Sequence, residues 1–181
     1  MLFIFNIKES ENMELWEVLD SEGNPTGEIV ERHDKSFFER GLYHLGSDVW
    51  IINSDNKILI QKRSPLKRLE PNVWAMTGGS VILGENSLET IAREAKEELD
   101  IDIDVSKLKL ITKFKTGNVW IDTYILKGDY DISKMNFQKD EVSDAKWATW
   151  DEIDELVNNG QFIKHRWEFV NQFLKKEIEE Y

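Results

Sequence analysis

The sequence predicts an α/β fold, with one mixed sheet covered by helices and a β-hairpin ahead of it. Three observations carry that expectation. Segments alternating apolar and polar residues stand before and after a single amphipathic stretch at 87–99, and two further helical patterns close the chain. Strands on both sides of one helix share a sheet most simply, and its apolar faces then need helical cover. The chain has 181 residues, 40% of them apolar and seven of them Trp, enough for one sizeable core and too apolar for disorder.

In chain order, residues 1–12 read as an extension ahead of a single domain at 13–181. Met13 directly precedes the first convincing strand, and the opening apolar patch lacks a basic leader and a small-residue cleavage site. Residues 14–19 alternate, turn through Asp20 to Pro25 and return as a strand at 26–31. Residues 32–41 are polar with two aromatics and read as a loop. A strand at 42–53 turns on Ser54-Asp55-Asn56 into 57–63, completing a second hairpin. The basic loop 64–71 carries Lys67 and Arg68, and a short strand at 73–77 ends in Gly78-Gly79. Beyond the central helix, strands at 107–115 and 118–127 turn on Thr116-Gly117, and another covers 144–149. Residues 150–158 form an acidic helix, and Phe162, Phe169, Val170, Phe173 and Leu174 stripe a last one.

A net charge of −12 argues against nucleic-acid backbone and anionic membrane as partners. It leaves a small phosphorylated substrate open, because a bound metal reverses the local sign. The longest apolar runs, such as 49–52, are far too short to cross a bilayer. Cysteine is absent, which removes disulfides, thiolate metal sites and a cysteine nucleophile, and suits a cytoplasmic protein.

The central helix has two faces. Leu88, Ile91, Ala92, Ala95 and Leu99 form a buried stripe, while Glu94, Glu97 and Glu98 stack within about one turn. Like charges at that spacing repel unless neutralised, by a hard divalent cation or by Arg93, which Glu85 would pair in turn. Alone, EAKEEL reads better as a solvated acidic face. Its setting has fixed spacing: Gly79, Glu85 six later, Arg93-Glu94 eight after that, then Glu97-Glu98 and an apolar Ile101. This pattern resembles the Nudix box, with Asp100 where that family has a glycine. Asp visits the left-handed region at modest energy, so the turn that closes the helix is expected to survive.

The resemblance implies an α/β/α sandwich and metal-assisted hydrolysis of a diphosphate. Glu94, Glu97 and Glu98, with the Gly78 carbonyl, would hold Mg²⁺ or Mn²⁺; Gly79 and Glu85 would shape the box, and Arg93 would stand with Glu97 and Glu141 among the catalytic residues. The proton of the attacking water would go to a box carboxylate such as Glu97 or to Glu141 from a later loop. Arg63, Lys67 and Arg68 would contact phosphate, Arg63 foremost, and Trp120 is a candidate for stacking a base. Phe37, Phe38 and Tyr43 are others.

The segments ELWEVLDSEGNPTG and YHLGSDVWIINSDNKILIQKRSPLKRLEPNVW look like the Nudix branch that includes isopentenyl-diphosphate isomerases, most of all its hydrolase-type relatives. The isomerase pattern needs a Cys and a His where this chain has Gly78 and Ser80, so isomerase is the alternative and hydrolase the reading; a silent binding module is the third. His44 matches an isomerase metal ligand, and His165 reads as structural. The first hairpin is too small to stand alone. It must dock on its own sheet's edge or on a second copy, through Trp16, Val18, Ile29 and Val30. The resemblance favours a homodimer.

Overall fold

The computed structural model describes residues 14–179, with no side-chain description for 178 and 179, and the extension read at 1–12 lies outside them. A two-stranded antiparallel ribbon, β1 (Leu15–Leu19) and β2 (Pro25–Glu31), precedes a short helix α1 (Ser36–Glu39). The main sheet holds β3 (His44–Ile52), β4 (Ile58–Arg63), β5 (Trp74–Ala75), β6 (Thr77–Ser80), β7 (Lys109–Thr116), β8 (Val119–Lys127) and β9 (Val142–Ala148). Helix α2 (Ser87–Leu99) lies between β6 and β7, and α3 (Trp150–Asn158) and α4 (Lys164–Glu179) end the described chain. The sheet is mixed: β3 and β8 run parallel, and every other pairing is antiparallel.

Helices cover both faces, which is the expected sandwich. Val49, Ile51, Leu59, Tyr124 and Leu126 pack on the Ile91, Ala95 and Leu99 stripe of α2. Trp50, Ile52, Ile58, Ile60 and Ile125 pack on Ile153 of α3 and on Trp167, Val170 and Leu174 of α4. The central strand β3 is buried on both faces, which explains its near-continuous apolar run.

Three expectations are corrected. The 42–63 hairpin pairs only at its turn, Ile52 with Ile58; beyond it β3 takes β6 and β4 takes β5 and β9. Gly78 and Gly79 do not end a strand but lie inside β6, against Asp48 and Ser47. The loop at 32–41 contains α1, because Phe37 is an anchor, fully buried with Trp16, Val18 and Val30.

The first hairpin docks on its own chain. Leu19 and Tyr43 exchange backbone hydrogen bonds, Leu83 N–H donates to Leu15 O, and the Trp16 ring stacks on His44 at 4.0 Å. Trp16, Val18 and Val30 are thereby buried while Ile29 stays exposed, so most of the apolar face that motivated a homodimer is covered by the chain itself. Among the described residues no helix is long and apolar enough to cross a membrane.

Candidate active site

Helix α2 is fixed at both ends by its own sequence. Asn86 caps it, accepting from the Leu88 and Glu89 N–H groups, and Glu89 Oε2 accepts from Asn86 N–H at 2.8 Å. Ser87 Oγ reaches Asp122 Oδ2 at 2.8 Å, tying the first turn to β8. Asp100 ends the helix at φ 56°, ψ 38°, with its N–H on Lys96 O. The left-handed turn survives without glycine, as expected.

Arg93 gathers the acidic side chains. Its Nε and Nη2 donate to the two oxygens of Glu85 at 2.8 and 3.2 Å, and Nη1 donates to Glu94 Oε1 at 2.9 Å and Glu97 Oε2 at 3.0 Å. Thr90 Oγ1 adds a bond to Glu85 Oε2 at 2.9 Å. Glu98 takes a different partner, the Gln61 amide of β4, at 2.7 Å. Burial raises the Glu94 carboxyl, with Arg93 opposing. Burial, then the charge of Glu94, pushes Glu98 up to about 8 although the Gln61 bond works the other way.

That donor set suits a hard cation: carboxylates crowd one place, one of them buried, with too little positive charge to ionise freely. The side chains as they stand do not converge into a cage, and among the described residues no three carboxylates or imidazoles do. Arg93 holds Glu94 and Glu97, and Gln61 holds Glu98.

Gly78 and Gly79 are required by close approach, not by backbone angle. A Cβ on Gly79 would fall 2.0 Å from Glu94 Oε1. One on Gly78 would fall 2.5 Å from Ser47 O and 2.8 Å from Asp48 Cβ. Successive strand residues face opposite ways. Gly79 therefore clears the α2 face for Glu94, and Gly78 clears the α4 face beside Asp48.

A cavity of about 420 Å³ unites these groups, reaching from Glu94, Glu97 and Glu98 past Gly78 and Gly79 to Arg166. Glu141 and Lys67 line it and are ion-paired with each other. Arg63 lines it too, but its Nε and Nη2 clasp the carbonyls of Leu69 and Glu70, bracing the basic loop. Arg68 is exposed and faces an adjoining basin of about 740 Å³, with Arg32 and Lys35 across from it. Trp120 is not at the site: its Nε1 donates to Asp20 O at 3.3 Å and its ring packs on Gly23, where it seats the hairpin. Phe37 is likewise core. His165, read as structural, is exposed and lines the cavity.

A model of the NUDIX domain matches residues 42–173. The chain belongs to the Nudix family. It is 34% identical over 163 residues to an uncharacterized Nudix hydrolase of Listeria monocytogenes, covering 90% of this chain and 94% of that one. It is 32% identical over 157 residues to an isopentenyl-diphosphate Δ-isomerase of Citrobacter koseri, covering 83% and 85%. The fold also matches a crystal structure from Deinococcus radiodurans with a TM-score of 0.68 at 24% identity, over 82% and 91% of the two chains. The protein is a Nudix hydrolase, of a family that acts on diphosphate-containing substrates.

Within this Nudix fold, position 78 has no room for the cysteine of the isomerase pattern, since even a Cβ meets backbone. His44 is buried, stacked on Trp16, with Nε2 3.5 Å from Ser80 Oγ. Burial, then the charges of Lys35 and Arg32, pull its pKa down to about 4, so it is neutral. Sequence reasoning missed Gln61, Asp48 and Arg166. Asp48 had a usable signal: a carboxylate in the middle of an otherwise buried apolar strand demands a partner. Gln61 and Arg166 carried none, because their roles arise from which strands and helices meet.

Proposed function

We propose that this Nudix enzyme hydrolyses a diphosphate linkage in a small organic diphosphate, nucleoside diphosphates first among them, with Mg²⁺ or Mn²⁺ bound by Glu94, Glu97, Glu98 and the backbone of Gly78. The observation that carries this reading is the buried Glu98 beside the partly buried Glu94, crowded at a cavity that Lys67 and Arg63 also line. When bound, the ion supplies electrophilic help at phosphorus and a more acidic water. The chain's own residues do the rest. Arg93 anchors on Glu85 and holds Glu94 and Glu97 beside each other. Glu97, half-exposed, and Glu141 both line the cavity and are the candidates to take a water's proton. Lys67 lies beside Glu141 and offers positive charge to the phosphates.

Full-length protein incubated with Mg²⁺ or Mn²⁺ and a panel of nucleoside di- and triphosphates, nucleotide sugars and isoprenoid diphosphates tests this. Metal-dependent release of phosphate or nucleotide is expected. Double-bond migration in isopentenyl diphosphate without hydrolysis would overturn it in favour of an isomerase, and binding without turnover in favour of a silent module.

A further inference from the structure

The cavity extends beyond the carboxylates onto the α4 face of the sheet, where Gly46, Val119, Ile121 and Ile163 give it apolar walls. A Cβ on Gly46 would crowd Ile121 and Val119 at 3.1 and 3.2 Å, so that wall is a packed surface. Arg166, from the first turn of α4, is set into it beside His165, with Asp48 and Glu70 the nearby carboxylates.

Its placement is held from below. Nη1 donates to Asp48 Oδ2 at 3.2 Å, and the guanidinium carbon lies 5.6 Å from the centre of the Phe114 ring. Phe114 is fixed in turn by stacking on Phe169 at 4.1 Å. Asp48 is 1% exposed in the middle of β3, and the residue across the ladder is Gly78, where any side chain would strike it. An ion pair buried this deeply is a poor source of stability, because desolvation of both partners offsets their attraction. Thr123 and Trp50 also favour the charged form of Asp48, whereas Arg166 Nε has no hydrogen-bond partner among the described residues. The pair is better explained by what it presents: a guanidinium with its direction fixed, facing the cavity.

Resting on the diphosphate-hydrolase reading, we infer that Arg166, positioned by Asp48, is a specificity residue that donates hydrogen bonds to acceptor atoms on the substrate's organic group and so selects a nucleoside over a hydrocarbon chain. A nucleobase carbonyl or ring nitrogen satisfies the guanidinium within apolar walls that suit the base's flat faces. An isoprenoid chain covers the same charge with hydrocarbon, removes its water and returns no bond. A site built on such a donor rejects the partnerless ligand far more strongly than an apolar pocket rejects a polar one.

The experiment uses the full chain as wild type, Arg166→Lys, Arg166→Leu and the double variant Asp48→Leu/Arg166→Leu, which leaves no buried charge unpaired. Thermal unfolding establishes which are folded. Two readouts follow: kcat/KM for ADP, CDP, GDP and UDP against dimethylallyl diphosphate, and calorimetric Kd for the corresponding nucleoside monophosphates. Wild type is expected to prefer nucleoside diphosphates, with the ratio over dimethylallyl diphosphate falling about tenfold or more in the Leu variants. Monophosphate Kd should rise by a similar factor, and Arg166→Lys should recover only part of the loss. Equal loss on both substrate classes would make Arg166 a phosphate contact and overturn the inference; so would no loss, or a wild-type preference for dimethylallyl diphosphate. Hydrolysis without any Arg166 effect sinks the inference alone. Arg166-dependent monophosphate binding without hydrolysis sinks the hydrolase reading and leaves the inference standing.

Discussion

Replacing Gly79 with alanine sets a methyl carbon 2.0 Å from Oε1 and 2.3 Å from Cδ of Glu94, closer than unbonded atoms can stand. The obstructing atoms are the free end of a side chain, so the carboxylate swings away and leaves the Arg93 Nη1 bond at 2.9 Å. One charge-assisted bond is lost, and water recovers part of it, so destabilisation is about 1–2 kcal/mol. Gly78→Ala makes an informative control. There the methyl falls 2.5 Å from Ser47 O and 2.9 Å from Asp48 Cα, backbone atoms that cannot rotate aside. The β6–β3 ladder must part, at about 3 kcal/mol or more. At about 2–4 °C per kcal/mol for a chain this long, Gly79→Ala should melt about 2–8 °C below wild type and Gly78→Ala at least about 6 °C below. Activity should follow a different order. Displacing Glu94 by an ångström or more should lower kcat/KM about 100-fold, even in folded Gly79→Ala. The assays are metal-free thermal unfolding and steady-state hydrolysis of the best panel substrate with Mg²⁺. Near-normal turnover by Gly79→Ala would refute the assignment of Glu94 to the site. A Gly78→Ala protein as stable as Gly79→Ala would refute the distinction between yielding and unyielding neighbours.

Glu97→Gln and Glu98→Gln should each lower turnover by about 100-fold or more while circular dichroism stays native, since side-chain volume is kept and a ligand or base is lost. Glu98 is raised to about 8 by burial. Its neutral form therefore favours the metal-free fold below the unfolded value near 4.5, an advantage lost as pH rises toward 8. A cation must displace that proton, so the Mn²⁺-induced rise in Tm should grow from pH 6 to 8 and level off above, and Glu98→Gln should flatten the trend. His44 runs the other way: its folded pKa of about 4 lies below the unfolded 6.5, so stability is complete above pH 6.5 and is lost as pH falls toward 4. The loss is about 3 kcal/mol, and His44→Phe, which keeps a ring against Trp16, should remove that part of the acid limb in pH-dependent denaturation curves.

What the sequence made legible was local or periodic. The span of α2, its box carboxylates and the Arg93–Glu85 pair follow from spacings of three, four and eight along one segment. Asp100 at φ 56° follows from the backbone tolerance of Asp. What escaped depends on contacts between distant segments. The apparent 42–63 hairpin was read from proximity in sequence, yet the two strands take their long pairings elsewhere. Trp120 looked available for stacking because alternation along a strand says which residues share a face but not what covers it; the first hairpin covers it. Gln61 became visible only once β4 lay beside the end of α2.

The same distinction bears on how an acidic helix face persists before any cation arrives. Glu94, Glu97 and Glu98 repel one another along α2, with Glu98 buried and Glu94 partly so, and the helix would be penalised without internal counterweights. Arg93 supplies one, dividing its donors: Nε and Nη2 for Glu85, Nη1 for Glu94 and Glu97. Gln61 supplies the other, from a different strand. Because the hold on Glu85 uses separate nitrogens, Arg93 can release Glu94 and Glu97 without leaving its place. The guanidinium then stays beside them as a fixed charge instead of swinging into the cavity. The spacing from Glu85 to Arg93, which a solvated acidic helix would not require, is what gives the carboxylates a partner they can exchange.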